Sequence, residues 1–234
     1  MILVLQNHAH DDPAYLGTWL DAQGERWRVV HVHAGEPVPA TCDGLTAIAV
    51  LGGPMSVNDP LPGLRATEVL LRAALACDLP VLGHCLGGQL LASALGAAIT
   101  RNPVAEIGWH GIATRDGAAA RDWFGAHTQA TVFQWHHDTF ALPAGAVPVA
   151  TGSACAHQAF AIGRSLGMQF HIEVDRAKLE LWFAHGANDV KAHAHLPTVQ
   201  SVAAMRAGIA AHLAASQALA DTLYARWRAG FRRA

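Results

Sequence analysis

The sequence predicts an α/β protein: a three-layer sandwich around a mostly parallel central sheet, with an antiparallel extension and C-terminal helices. Three observations predict it. Short aliphatic runs alternate with helical patterns through the first half, as parallel strands buried on both faces require. From Ala98 to Gln169 strand-like runs continue while helical periodicity fades, as expected of antiparallel strands added at an edge. After His171 the pattern turns helical. An apolar fraction of 52% over 234 residues supplies the core that such a sheet needs.

The elements follow in order. Residues 2–5 read as a buried strand, and residues 13–22 as a helix with its N-cap near Asp11 or Asp12. Residues 28–33, β-branched and alternating, make a second strand. Residues 45–51 make a third, ending at Gly52-Gly53-Pro54. A helix fills 64–76, a fourth strand 79–82, and a further helix 86–95, closed by Gly96. Later, Thr131-Val132-Phe133-Gln134-Trp135 and Ala159-Phe160-Ala161-Ile162 are the clearest strands. In the tail, Val202, Met205, Ile209, Leu213, Leu219, Leu223 and Trp227 fall near one helical face. That face is expected to dock on the domain, with a homodimer seam as the alternative. The division expected is a domain over 1–190 and a helical extension over 191–234.

Composition narrows the partners. A net charge of -2 and a charged fraction of 15% argue against nucleic acid or an anionic membrane held by bulk charge. The basic cluster Arg226, Arg228, Arg232 and Arg233 reads as a solvated helix end favoured by the helix dipole. The first strand runs straight into Gln6, Asn7 and His8 without a basic leader. No later stretch approaches the ~18 uninterrupted apolar residues of a membrane span, so a cytoplasmic protein is expected. The four cysteines show neither a C-x-x-C pair nor metal spacing, and three of them read as small core hydrophobes. His8-Ala9-His10 and Lys191-Ala192-His193-Ala194-His195 read as solvated histidines, so neither metal nor cofactor is expected.

Cys85 is the exception among the cysteines. The fourth strand, the turn Gly83-His84-Cys85-Leu86-Gly87 and the following helix make a cysteine form of the nucleophile elbow. Such a tight bend projects its side chain clear of the backbone and tolerates only glycine at the flanking positions. The helix N-terminus beyond it directs free N–H groups at the sulfur, a field that favours a thiolate. A cysteine nucleophile needs a base and a group to orient that base. Gln169-Phe170-His171-Ile172-Glu173 offers both, although a surface histidine beside an unrelated glutamate is the simpler reading of that segment alone. Acyl transfer also needs oxyanion donors, and the amides of Gly53 and Leu86 are the natural pair. An ordinary strand-end turn is the competing reading of the glycines.

Taken in order, Gly52-Gly53-Pro54-Met55-Ser56, Gly83-His84-Cys85-Leu86-Gly87-Gly88-Gln89 and Gln169-Phe170-His171-Ile172-Glu173 resemble the class I, or triad, glutamine amidotransferases over roughly residues 40 to 175. Glu106-Ile107-Gly108-Trp109 resembles stand-alone members close to the glutamine amidotransferase domain of GMP synthetase. The resemblance implies the family's flavodoxin-like fold. It also implies Cys85 as nucleophile, His171 as base and acid, Glu173 as its orienter, and Gly53 and Leu86 as the oxyanion hole. Gly52, Gln89, Trp135 and His136 would then lie on the substrate side. Three positions depart from the pattern: Gly88 replaces a histidine, His137 a glycine and Ile172 a proline.

The activity implied is hydrolysis of glutamine's γ-carboxamide through a cysteinyl thioester, without metal or organic cofactor. The sequence holds no P-loop, so ammonia would pass to a separate synthetase subunit or be released. A stand-alone hydrolase of γ-glutamyl amides or peptides is the alternative enzyme. A catalytically silent binding or regulatory protein is the alternative outside enzymology.

Overall fold

The computed structural model describes residues 1–232, so Arg233 of the basic tail lies outside the described residues. Among them, one nine-stranded sheet runs in the order β2-β1-β3-β4-β9-β8-β7-β5-β6. The parallel block is β2 (Trp27–His31), β1 (Ile2–Gln6), β3 (Ala47–Val50), β4 (Val81–His84) and β9 (Ser165–Met168). The antiparallel extension adds β8 (Ala159–Ile162), β7 (Val147–Gly152), β5 (Ile99–Thr114) and β6 (Gln129–Phe140). The expected architecture is therefore present.

Alternate residues of β1 show why the inner parallel strands lack a polar face. Ile2 and Val4 pack into one core, Leu3 and Leu5 into another. The first core is closed by α1 (Ala14–Ala22), α4 (Ala118–Phe124) and the end of α7 (Val202–Ala229), through Leu16, Trp123, Leu223 and Trp227. The second is closed by α2 (Pro62–Ala76) and α3 (Leu86–Ala94), through Leu70, Leu71, Leu90 and Leu91. A third core sits beyond β6. There Phe133 meets Trp182 and Phe183 of α5 (Arg176–His185), together with Met205 and Ile209 of α7. One face of α7 thus docks along the domain, each fully buried large side chain contributing about 1.5–3 kcal/mol.

Element boundaries moved where local chemistry demanded it. Helix α2 begins at Pro62 rather than residue 64, because proline at the first turn forfeits no hydrogen bond. Helix α1 is not capped by Asp11 or Asp12; Pro13 occupies the N-cap. The Asp11 carboxylate faces His8 at 3.3 Å, and the Asp12 carbonyl accepts from Lys178 Nζ at 2.7 Å. The second strand stops at His31, where residues 32–34 tighten into a 3-10 turn closed by Gly35. After His171 the chain forms α5, then α6 (Ala187–His193), then α7, with Asp175 and Ser201 capping α5 and α7.

Candidate active site

Strand β4 lies between β3 and β9, so the loops leaving their carboxyl ends converge at one edge of the sheet, where open α/β sheets place their sites. Gly52 and Gly53 follow β3, Cys85 follows β4, and His171 and Glu173 follow β9. Cys85 has φ 48° and ψ −109°, a turn conformation that favours glycine. Close packing holds it there. A Cβ on Gly87 would run into the Val50 carbonyl, and one on Gly88 into the Met168 carbonyl. Helix α3 therefore starts directly against β3 and β9, which accounts for the Gly88 departure. The Leu86 amide is in the first turn of α3, and the Gly53 amide makes no backbone hydrogen bond among the described residues.

His171 and Glu173 are buried, with His171 Nδ1 and Glu173 Oε1 2.6 Å apart. A Cβ placed on Gly52 would stand 2.9 Å from His171 Cε1 and 3.8 Å from Cys85 Cβ. Gly52 thus packs between the two side chains instead of lining the cleft. Burial alone would lower the His171 imidazole; the charges of Glu173 and Cys85 outweigh it and push it up to about 10. Burial likewise opposes ionisation of Glu173, but His171, Lys178 and His84 hold its carboxyl well below the usual range. Ile172, between them, is fully buried in the first core.

In front of the sulfur lies a cleft of about 870 Å³, lined by Gly53, Cys85, Gln89, Trp135, His136 and His171 among others. Leu86 and Glu173 are buried behind it. Of the expected substrate-side groups, Gln89 donates to the Asp138 carbonyl at 3.1 Å and to Gln169 Oε1 at 3.2 Å. His136 has both ring nitrogens engaged, Nε2 with Glu106 at 3.0 Å and Nδ1 with the Asp138 carbonyl at 3.0 Å. Its ring therefore braces the strand. Trp135 presents its carbonyl to the Cys85 thiol at 3.7 Å and donates its indole N–H to Asp189 at 2.8 Å. His137, the third departure, also faces Asp189, at 3.0 Å. Burial opposes ionisation of Asp189, yet the bonds from His137 and Trp135 bring it down to about 2.

Several further groups close around this site without a role assigned to them by the sequence, two of them inside the motifs themselves. Lys178 Nζ lies 3.5 Å from Glu173 Oε1 and 5.1 Å from the Trp182 ring centre. His84 Nε2 stands 4.0 Å from Glu173 Oε2 and 3.4 Å from the Tyr224 hydroxyl of α7. Gln169 donates to Cys85 Sγ at 3.6 Å. Lys178 stands in the first turn of α5, a helix that begins only after Glu173, so no helical spacing announces their contact.

Fold and site together define an α/β protein with a cysteine elbow facing a buried histidine–glutamate pair. A model of the glutamine amidotransferase class-I family matches residues 23–180, and the chain belongs to that family. It is 33% identical over 202 residues to the glutamine amidotransferase-like protein YfeJ of Salmonella typhimurium, covering 83% of this chain and 84% of that one. It is 34% identical over 145 residues to the GMP synthase of Colwellia psychrerythraea, covering 57% of this chain but only 26% of that one. The structure of a glutamine amidotransferase from Methylobacillus flagellatus, 34% identical, superposes with a TM-score of 0.95, covering 100% of this chain and 96% of that one. Among the described residues no helix is long and apolar enough to cross a membrane.

Proposed function

We propose that this chain hydrolyses the γ-carboxamide of glutamine at Cys85. The carrying observation is the elbow: a cysteine at φ 48° beside a buried imidazole that Glu173 grips at 2.6 Å. The Cys85 thiolate attacks the amide carbon, and the Gly53 and Leu86 amides receive the oxyanion. His171, held as an imidazolium by Glu173, protonates the amide nitrogen of the tetrahedral intermediate, whose C–N bond breaks to release ammonia and leave the thioester. The neutral imidazole then takes a proton from water, which attacks the thioester and releases glutamate. Ammonia goes to a separate synthetase subunit or into solution; the similarity to the Colwellia psychrerythraea GMP synthase, of whose length the match covers 26%, motivates the first.

A stand-alone γ-glutamyl amide or peptide hydrolase is the second reading. The cleft volume favours it, because about 870 Å³ exceeds what one glutamine fills and suits a larger ligand. The test is glutamate release by the purified chain from free glutamine and from γ-glutamyl dipeptides. The expected result is turnover that disappears in Cys85→Ala. Glutamate release persisting from both substrates in Cys85→Ala sinks both readings. An inert pure chain rescued by a co-purifying synthetase favours the subunit role.

A further inference from the structure

We propose that His137, Asp189 and His193 bind a divalent transition-metal ion, zinc being best matched, at the rim of the Cys85 cleft. His137 comes from β6. Asp189 and His193 come from α6, where a spacing of four puts both on one helix face. His137 Nε2 lies 3.0 Å from Asp189 Oδ2, and His193 Nδ1 lies 3.0 Å from Asp189 Oδ1. All three donor atoms fall within 4.8 Å of one another. Ligands around zinc at ~2.0–2.2 Å sit roughly 3.4 Å apart, so small side-chain rotations suffice. Two imidazoles and a carboxylate suit zinc and leave a fourth position free.

Access and support are also in place. The three side chains are 25–33% exposed, so an ion can enter from solvent. His137 and Asp189 line the cleft, which turns the fourth position toward it. Trp135 donates to Asp189 Oδ2 at 2.8 Å and so orients the carboxylate from outside the ligand set. The same residue's carbonyl faces Cys85 Sγ, which ties the rim to the nucleophile position. His193 Nδ1 also meets the Asp189 carbonyl at 3.0 Å, a contact that metal binding would replace. The group Glu106, His136 and Cys155 differs, because all three residues are buried. The sequence reading of His193 as solvated missed Asp189, one helical turn upstream.

The test titrates cobalt(II) and zinc into full-length Cys85→Ala and Cys85→Ser proteins, where the nucleophile's sulfur cannot serve as ligand. We expect one ion per chain and cobalt d–d absorption without a sulfur charge-transfer band. Added Asp189→Asn or His193→Ala should weaken binding by about 100-fold or more, beyond the 10–100-fold typical of an outer-shell partner. His195→Ala should not. Both ligand positions are partly exposed, and circular dichroism will verify folding. Unchanged affinity in folded ligand variants, a sulfur band, or no ion held by either Cys85 variant overturns the proposal. Ion binding needs no turnover, so its outcome is separate from that of the hydrolysis reading.

Discussion

Glu173 Oε1 stands 2.6 Å from His171 Nδ1 with both side chains buried, so a carboxylate fixes the imidazole that faces Cys85. Replacing Glu173 with glutamine keeps the shape but removes the charge that raises His171. Glutamine hydrolysis should fall by about 10³–10⁴-fold, mainly in kcat, as when other triads lose their orienting acid. Alkylation of Cys85 by a glutamine-like electrophile near neutral pH should slow in parallel. Unaltered labelling and turnover in a folded Glu173→Gln protein would show that this contact does not support the chemistry.

The parts of this site that were legible in the sequence are local ones. Cys85 is flanked by Gly83 and Gly87 because a tight strand-to-helix bend leaves room for nothing else, and that constraint is written within five residues. His171 and Glu173 are two residues apart, so their pairing is also near at hand. Lys178, His84 and Tyr224 close around Glu173 only when α5 and α7 pack, and no periodicity announces it. His136 lines the cleft, but its Nε2 is held by Glu106, thirty residues away, a contact that no local motif announces. Strands β1 and β3 were legible because their residues are apolar without alternation, and β2 because its run is β-branched and alternating. The 3-10 turn at residues 32–34 was not, since Val32 continues the β-branched run.

Gly88 occupies the contact between α3 and β9, where any Cβ would meet the Met168 carbonyl. Gly88→His, which restores the residue the family resemblance leads one to expect, should therefore destabilise this chain. Overpacking against backbone costs about 1–3 kcal/mol and sometimes more. Urea unfolding will read it as a lower midpoint at unchanged m-value. A variant as stable as the parent would mean that β9 can retreat from α3.

Burial lowers the His84 imidazole from 6.5 to about 4, although Glu173 pulls the other way; His171 and Lys178 add to the lowering. The unfolded chain binds that proton near pH 6.5, the folded chain only near pH 4. The contribution is thus fully present above pH 6.5 and is lost as pH falls toward 4, by about 3 kcal/mol. Glu173, depressed below 4.5, adds a loss at still lower pH. His171 has the opposite sign: raised to about 10, it stabilises fully below pH 6.5 and loses that contribution as pH rises toward 10. Urea midpoints between pH 4 and 10 should peak near neutrality. In His84→Gln the slope between pH 4 and 6.5 should flatten while the alkaline limb stays. An unchanged acid slope assigns it to other groups.

The backbone of Cys85, at φ 48° and ψ −109°, makes a final prediction that separates strain from side-chain loss. Alanine and glycine both delete the sulfur, but only glycine adopts this conformation freely. Ordinary propensity would rank alanine as the more stable replacement, because glycine has more conformational entropy to lose on folding. Here the order should invert. Such a conformation costs a residue bearing a Cβ about 1–3 kcal/mol, so Cys85→Gly should unfold at higher urea than Cys85→Ala by roughly that free energy. Both should lack glutaminase activity, which keeps the comparison purely one of stability. If alanine proves equal or better, the turn relaxes once the thiol is gone, and the bend is then held by the Cys85 side chain itself. If glycine wins, the packing of Gly87 and Gly88 against β3 and β9 imposes the bend, and the Cys85 side chain is kept there at the expense of stability.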